Sequence, residues 1–206
     1  MDKASAPPRE DVLQKPPFGA VVVRMAWVAG LVALDLWSKA WVFARLGPPG
    51  QPTGGVELDL DVHAHGRETL IGDWLAFMTS LNPGMAWGFD KLPMHVLVYG
   101  RLAAVLLLIW MVARNSTRRP WMTAALVLVL AGAMGNLYDN LFTDYKVDLR
   151  GNEYPFGQVR DFIDVYFARW QWHFPTFNVA DSCISVGAVL LFLVSWKKEA
   201  APTANA

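Results

Sequence analysis

Carboxylate and amide side chains recur within the apolar stretches of this sequence. Two tetrapeptides, Asn136 to Asp139 and Asn178 to Asp181, place an Asn three residues before an Asp. On a helix this spacing brings both side chains to the same face, where the amide can hold the carboxylate by hydrogen bonding. A carboxylate in such a stretch is costly and marks a functional site by default, and polar contact between helices is the structural alternative.

Two close carboxylates that share one proton can hydrolyse a peptide bond. One carboxylate takes a proton from water and the other protonates the leaving nitrogen, so the reaction needs neither a metal nor a nucleophilic side chain. Four acidic residues near the ends of the apolar stretches are candidates for such a pair: Asp139, Asp161, Asp164 and Asp181. Residue spacing alone does not choose between them.

Other candidate reactive residues have structural explanations. Asp35 and Lys39 form an i,i+4 pair that can neutralise itself within a bilayer. Ser38 beside Lys39 is a weak signal for a Ser/Lys protease, because neighbours at i,i+1 diverge on a helix. His63 and His65 lack a third nearby ligand, so no metal site is predicted, and no cofactor is implied.

Four apolar stretches predict the helices that position these side chains. Apolar residues make up 54% of the 206 residues, and ten are Trp, which is typical of a membrane protein rather than a soluble domain. Each stretch approaches the ~20 residues that a spanning helix needs. The predicted spans run from about Met25 to Phe43, Val96 to Ala113, Trp121 to Tyr138 and Phe177 to Trp196.

The predicted organisation is one membrane domain between two tails. Residues 21–198 form the membrane domain, and residues 1–20 and 199–206, which are polar or rich in Ala and Pro, are predicted to be disordered. Positive residues concentrate in both tails and between spans two and three, which predicts that both termini are cytoplasmic. The loops after spans one and three then face outward.

This topology brings the polar residues to one level of the membrane, at its outer face. Asp35 and Lys39 fall in the outer half of span one, and the two Asn-x-x-Asp tetrapeptides fall at the outer ends of spans three and four. Asn82 and Asp161 belong to segments at or beyond the outer interface. The sequence therefore predicts a polar cluster there.

Pairs of small residues indicate where two of the helices pack. Ala131 with Gly135, and Cys183 with Gly187, are small pairs at i,i+4, which allows spans three and four to approach closely. This packing would bring the acidic ends of the two tetrapeptides together. Cys183 is interpreted as a packing residue, because its apolar stretch disfavours a thiolate.

Four segments together resemble the lipoprotein signal peptidase family, the signal peptidase II enzymes of bacteria. They occur in the order of the family's motifs on a four-span chain, and the resemblance covers nearly everything from about Val22 to Trp196. The segments are Asp35 to Lys39, Asn82 to Phe89, Gly135 to Asp139 with Val159 to Ile163, and Phe177 to Asp181.

The resemblance implies a membrane aspartic endopeptidase of the bacterial inner (cytoplasmic) membrane. Enzymes of this family remove the signal peptide from prolipoproteins, cutting N-terminal to a cysteine that carries diacylglycerol, and globomycin inhibits them. The implied fold is an all-α membrane protein of four transmembrane helices with a small β-rich periplasmic cradle. The strand-like stretch Val56 to His65 is consistent with that cradle. We expect the lipid of the substrate to lie between helices in the bilayer.

The family's catalytic aspartates correspond to Asp161 and Asp181 of this chain. Other motif positions are implied to bind substrate or to support the site: Asp35, Lys39, Asn82, Gly84, Asn136, Asp139 and Asn178.

The sequence departs from the family pattern in two places. Asn140 follows the Gly-Asn-x-x-Asp motif where the family has Arg, and Arg160 is an unusual neighbour of Asp161. One hypothesis is that Arg160 supplies the missing positive charge. The second departure is a long insertion between Asp139 and Asp161, which lengthens the outer loop.

Two other classes of function are alternatives to a protease. A proton-coupled carrier would place ionisable groups near the bilayer midplane and show internal repeats, whereas these acids gather at one surface. A non-enzymatic assembly factor would tolerate Asp161→Asn and Asp181→Asn. Eighteen basic residues balance eighteen acidic ones, so the net charge does not favour a nucleic-acid partner.

Overall fold

Five segments of the chain are described by the computed structural model, namely residues 15–49, 58–59, 65–83, 92–147 and 151–199. In chain order their elements are α1 (Phe18–Leu46), β1 (Leu58–Asp59), β2 (His65–Ile71), β3 (Leu75–Asn82), α2 (Met94–Arg114), α3 (Pro120–Phe142), β4 (Val159–Phe167), β5 (Trp172–Phe177) and α4 (Val179–Glu199). All four helices are long and apolar enough to cross a membrane. The chain is therefore a multi-pass membrane protein.

The four predicted spans are confirmed as helices, with somewhat different ends. α1 and α2 start directly after Pro17 and Pro93, and Pro120 is the first residue of α3, which suits a residue with a fixed φ and no N–H. α1 begins at Phe18, inside the range expected for the N-terminal tail. α4 begins at Val179 rather than Phe177, because Phe177 pairs with β4.

A small antiparallel sheet of five strands, in the order β1 to β5, forms the β-rich cradle expected from the family resemblance. Within this sheet Ser80 of β3 lies opposite Asp161 of β4, and Asn82 lies opposite Val159. The stretch Val56 to His65 is described only at β1 and at the first residue of β2, and His63 lies outside the described residues.

α3 is the central helix, and its glycines allow close packing. Half of its apolar window is buried, compared with 17% for each of the other three helices. A Cβ at Gly132 would clash with the carbonyl oxygen of Ala180, and a Cβ at Gly135 would clash with the Asp35 carboxylate. In α4, a Cβ at Gly187 would lie 2.6 Å from a methyl group of Val129. The close approach of spans three and four predicted from small residues is confirmed.

A hydrophobic cluster joins the sheet to the helices. Val42, Phe43 and Leu46, at the end of α1, pack with Phe162 of β4. All four side chains are at most 5% exposed. Burial of their apolar surface therefore stabilises the contact between the sheet and α1. Because Phe162 follows Asp161, this cluster brings the Asp161 carboxylate to the ends of the helices.

Candidate active site

A chain of buried ion pairs joins α1, α3 and β4 on one side of the site. Lys39 Nζ lies 2.7 Å from Asp35 Oδ2 and 3.1 Å from Asp139 Oδ2. Arg160 binds the same Asp139 carboxylate through Nε at 3.1 Å, Nη2 at 2.7 Å and its backbone N–H at 3.0 Å. All four side chains are buried, so each charge depends on its partners for the stabilisation that water would otherwise give.

Asp35 also anchors the start of α4. Its Oδ1 accepts a hydrogen bond from the backbone N–H of Ala180 at 2.9 Å. N–H groups in the first turn of a helix have no partner within the helix, so a carboxylate from α1 satisfies one of them. Gly135 of α3 leaves the space that this carboxylate occupies.

Lys39 determines which way the Asn136 amide points. Asn136 Oδ1 accepts from Lys39 Nζ at 3.0 Å and from Asn178 Nδ2 at 3.1 Å. Lys39 can only donate, so the amide oxygen must face it. Asn136 Nδ2 is thereby directed to Asp181 Oδ1, at 2.7 Å.

Asn178 and Asp181 cap the first turn of α4 reciprocally. The Asp181 backbone N–H donates to Asn178 Oδ1 at 2.8 Å, and the Asn178 backbone N–H donates to Asp181 Oδ2 at 3.3 Å. This is the capping-box arrangement, with Asn and Asp in place of the commoner Ser or Thr and Glu. Asp181 therefore lies at the positive end of the helix dipole, where a carboxylate is stabilised.

Asp161 is held between two amides. Its Oδ1 accepts from Asn178 Nδ2 at 2.6 Å, and its Oδ2 accepts from Asn82 Nδ2 at 3.1 Å. Burial, followed by the charge of Asp181, raises the pKa of Asp161 well above its usual range, although the two amides and the charge of Lys39 act in the opposite direction. The Asp161 and Asp181 carboxylates therefore interact electrostatically.

Two other candidates from the sequence are engaged elsewhere. The buried Asp164 carboxylate accepts from Arg67 Nε at 3.0 Å and contacts His173 Nδ1 at 2.7 Å, which leaves it bound within the sheet. The Ser38 hydroxyl donates to the backbone oxygen of Asp35 at 2.9 Å. Neither geometry favours a catalytic role.

Most residues implied by the family resemblance meet at this site. Asp35, Lys39, Asn82, Asn136, Asp139, Asp161, Asn178 and Asp181 are joined by the contacts described above. Gly84 lies outside the described residues. Within the described ranges, no group of three or more His, Cys, Asp or Glu residues could hold a metal ion.

One residue beside the site was missed by sequence reasoning, namely Arg101 of α2. Its Nη1 donates to Asn140 Oδ1 at 2.5 Å. Asn140 directly follows Asp139 on α3, so this contact places the Arg101 guanidinium at the edge of the site. The available signal was a single arginine inside an apolar span, which usually marks function.

Comparison with protein families gives one match over most of the chain. Residues 27–197 match the family model described as Signal peptidase (SPase) II. A lipoprotein signal peptidase of Rhodopirellula baltica is 33% identical over 177 residues, covering 84% of this chain and 71% of that protein. A lipoprotein signal peptidase of Pseudomonas aeruginosa is 34% identical over 175 residues, covering 81% of this chain and 84% of that protein.

A solved structure shares the fold. It is described as a bacterial membrane enzyme determined by the in meso method at 2.3 Å resolution, and it matches with a TM-score of 0.66 and 22% sequence identity. The match covers 94% of this chain and 97% of that one. The helices and sheet described here are therefore those of a known bacterial membrane enzyme fold.

Proposed function

Because the chain belongs to the signal peptidase II family, a family of peptidases, we propose that it removes the signal peptide from bacterial prolipoproteins with Asp161 and Asp181 as its catalytic pair. The observation that carries this proposal is the Asn178 bridge. Asn178 donates to Asp161 Oδ1 through its side chain and to Asp181 Oδ2 through its backbone. Because the family consists of peptidases, its match also argues against the two alternatives, a proton-coupled carrier and a non-enzymatic assembly factor.

The proposed reaction begins with Asp161 protonated and Asp181 ionised. Asp181 takes a proton from water as the water oxygen adds to the scissile carbonyl carbon, and Asp161 gives its proton to the carbonyl oxygen. As the carbon–nitrogen bond breaks, Asp181 returns its proton to the leaving nitrogen. Asp161 recovers a proton from one hydroxyl of the intermediate, which leaves a carboxylic acid and restores the pair.

Amides are suitable partners for carboxylates that exchange protons. Asn82, Asn136 and Asn178 hold the pair by neutral hydrogen bonds, so neither carboxylate is matched by an adjacent cation in a direct ion pair among the described residues. A neutral partner orients a carboxylate and still allows it to gain or lose a proton.

The proposed substrate is a prolipoprotein whose cysteine carries diacylglycerol, cut on the N-terminal side of that cysteine. In the proposed topology both termini are cytoplasmic, the enzyme lies in the bacterial inner membrane, and the site and sheet lie at its outer face. The diacylglycerol would lie between helices, where burying acyl chain contributes ~0.8 kcal/mol per CH₂. Globomycin is the expected inhibitor.

The test is cleavage of a diacylglyceryl-modified prolipoprotein by the purified protein in detergent. We expect Asp161→Asn and Asp181→Asn each to lower kcat by about 10³-fold at unchanged folding, and globomycin to block the wild type. Asp73→Asn is the matched control, because Asp73 is an exposed residue of the β2–β3 turn. A folded wild type that does not cleave, or normal cleavage by both aspartate variants, would overturn the proposal.

A further inference from the structure

A groove lies between the beginnings of α1 and α3, at the end of these helices opposite the catalytic pair. Its volume is about 700 Å³, which is the size of a typical ligand site. Val23 and Trp27, which line it, are more than half exposed, so the groove opens toward the acyl chains that surround a spanning helix. Most of the lining is apolar: Ala20, Val23, Trp27 and Leu31 of α1, and Ala124 and Val127 of α3.

Arg24 of α1 also lines this groove, and it is buried without a carboxylate partner in the described segments of the chain. It is 6% exposed. Its Nη1 donates to the backbone oxygens of Val112 and Asn115 at the end of α2, both at 2.8 Å. These acceptors are neutral, and neither Nε nor Nη2 has a partner within those segments. Buried charges in proteins are normally paired, so the groove lacks an anion.

The N-termini of α1 and α3 add positive potential at the same end of the groove. The first N–H groups of a helix have no partner within it, and the helix dipole favours an anion beside them. Neither helix has an acidic residue in its first turn or a side-chain cap. Gly19 of α1 and Pro120 of α3, which belong to these first turns, line the groove.

We propose that this groove binds a membrane phospholipid with an anionic headgroup, whose phosphate contacts Arg24 and whose acyl chain covers the apolar lining. Nε and Nη2 form one edge of the guanidinium, the edge with which Arg45 binds the Glu68 carboxylate. The same fork suits two phosphate oxygens. The diacylglycerol of the proposed substrate is uncharged, so it does not meet the need of Arg24 for an anion.

The site is distinct from the catalytic pair. Arg24 precedes Asp35 by about 16 Å along the axis of α1. The inference therefore does not depend on the proposed function. A lipid that joins α1 to α3 and binds only the folded protein stabilises it in proportion to its concentration and affinity.

The experiment follows thermal unfolding of the purified full chain in a neutral detergent with one added probe at a time. The probes are phosphatidylglycerol, phosphatidylcholine and inorganic phosphate. We expect Tm to rise with phosphatidylglycerol, to rise much less with phosphatidylcholine and to stay constant with inorganic phosphate, because binding needs both the anion and the acyl chain. The dependence of Tm on phosphatidylglycerol concentration gives an apparent Kd.

Two variants separate the charge from the groove. Arg24→Gln should raise the apparent Kd for phosphatidylglycerol by about tenfold, and Arg24→Lys should restore most of the affinity. Arg169→Gln is the matched control, because Arg169 is exposed in the turn between β4 and β5. Ala124→Phe fills the groove and keeps Arg24, so it should also raise the apparent Kd. Its control is Ala103→Phe, at an exposed position of α2.

Four results would overturn the inference. An equal rise of Tm with phosphatidylcholine would show that the headgroup charge does not matter, and an equal rise with inorganic phosphate would indicate a site for a free anion. A folded Arg24→Gln with the wild-type Kd would exclude the guanidinium. If Arg24→Gln does not fold, an unchanged Kd in Ala124→Phe would exclude the groove. None of these measurements uses cleavage, so a failure of the proposed peptidase function is distinguishable from a failure of this inference.

Discussion

The two Asn-x-x-Asp tetrapeptides share a sequence pattern and have opposite surroundings. At the end of α3, Asp139 is 0% exposed and is bound by two cations, Lys39 and Arg160. At the start of α4, Asp181 is partly exposed and accepts hydrogen bonds from an amide and a backbone N–H, at 2.7 and 3.3 Å. The Asp139 carboxylate is neutralised by ion pairs, and the Asp181 carboxylate is oriented by neutral donors.

This difference agrees with the proposed roles, in which Asp139 supports the site and Asp181 exchanges protons. An ion-paired buried carboxylate resists protonation, because protonation would leave its cations uncompensated. A carboxylate held by amides can change its charge at lower cost. A hydrogen bond also joins the two tetrapeptides directly, since Asn136 of the first donates to Asp181 of the second. Residues 136–139, the α3 region, therefore help to hold residues 178–181, the α4 region, in place.

The sharpest test of this comparison applies one substitution to both regions. Asp139→Asn leaves Lys39 and Arg160 without their shared anion, so we expect it to lower the free energy of unfolding by about 3 kcal/mol. Asp181→Asn should abolish cleavage and leave stability nearly unchanged. Thermal unfolding and cleavage in detergent measure both effects. An Asp139→Asn protein as stable as the wild type would remove the distinction between the regions.

Arg160 tests how much of the α3 region depends on its second cation. Arg160→Val removes two hydrogen bonds to the Asp139 carboxylate, and we expect a loss of about 2 kcal/mol in denaturant unfolding. If Arg160 also compensates for Asn140, then Asn140→Arg should restore activity to Arg160→Val. Activity in the double variant below that of either single variant would contradict the compensation.

Gly135 tests the contact between the two regions. Gly135→Ala places a methyl group against the Asp35 carboxylate and near Ala180, so we expect a loss of about 1.5 kcal/mol from overpacking. Gly100→Ala is the control, because a Cβ at Gly100 meets nothing within 4 Å. Equal melting temperatures for the two variants would show that the close approach does not matter.

Asp161, which lies on β4 beside the start of α4, is expected to affect function and stability in different ways. The pKa of Asp161 is raised by burial and by Asp181, so the folded state binds its proton more tightly than the unfolded state does. The stability that this proton contributes is complete below the usual pKa of Asp and is lost as pH rises through the raised value.

Asp161→Asn should therefore melt at a higher temperature than the wild type at neutral pH, and the difference should vanish near pH 4. Melting curves at both pH values provide the measurement. A variant less stable than the wild type at neutral pH would mean that the Asp161 charge is better compensated than its burial indicates.

The sequence predicted which apolar stretches form helices, but it did not predict the residues at which the helices and strands begin and end. Hydropathy is a local property, so all four spans are visible without knowledge of the fold. The end of β5 was not visible, because Phe177 lies close to Val179 and Ala180 in the sequence and only its pairing with Ile163 assigns it to a strand. Apolar periodicity does not distinguish a buried strand from the start of a helix.

Within the site, the sequence alone determined which polar residues share a depth, since depth follows from the length and direction of each span. Family resemblance then separated Asp161 and Asp181 from the other acids. Only the tertiary structure decided which acidic side chain forms ion pairs with Lys39 and Arg160. Lys39 bonds to Asn136 across 97 residues, and Arg101 bonds to Asn140 from a different helix. Such partners are chosen by helix packing and strand register, and these depend on contacts that no local pattern contains.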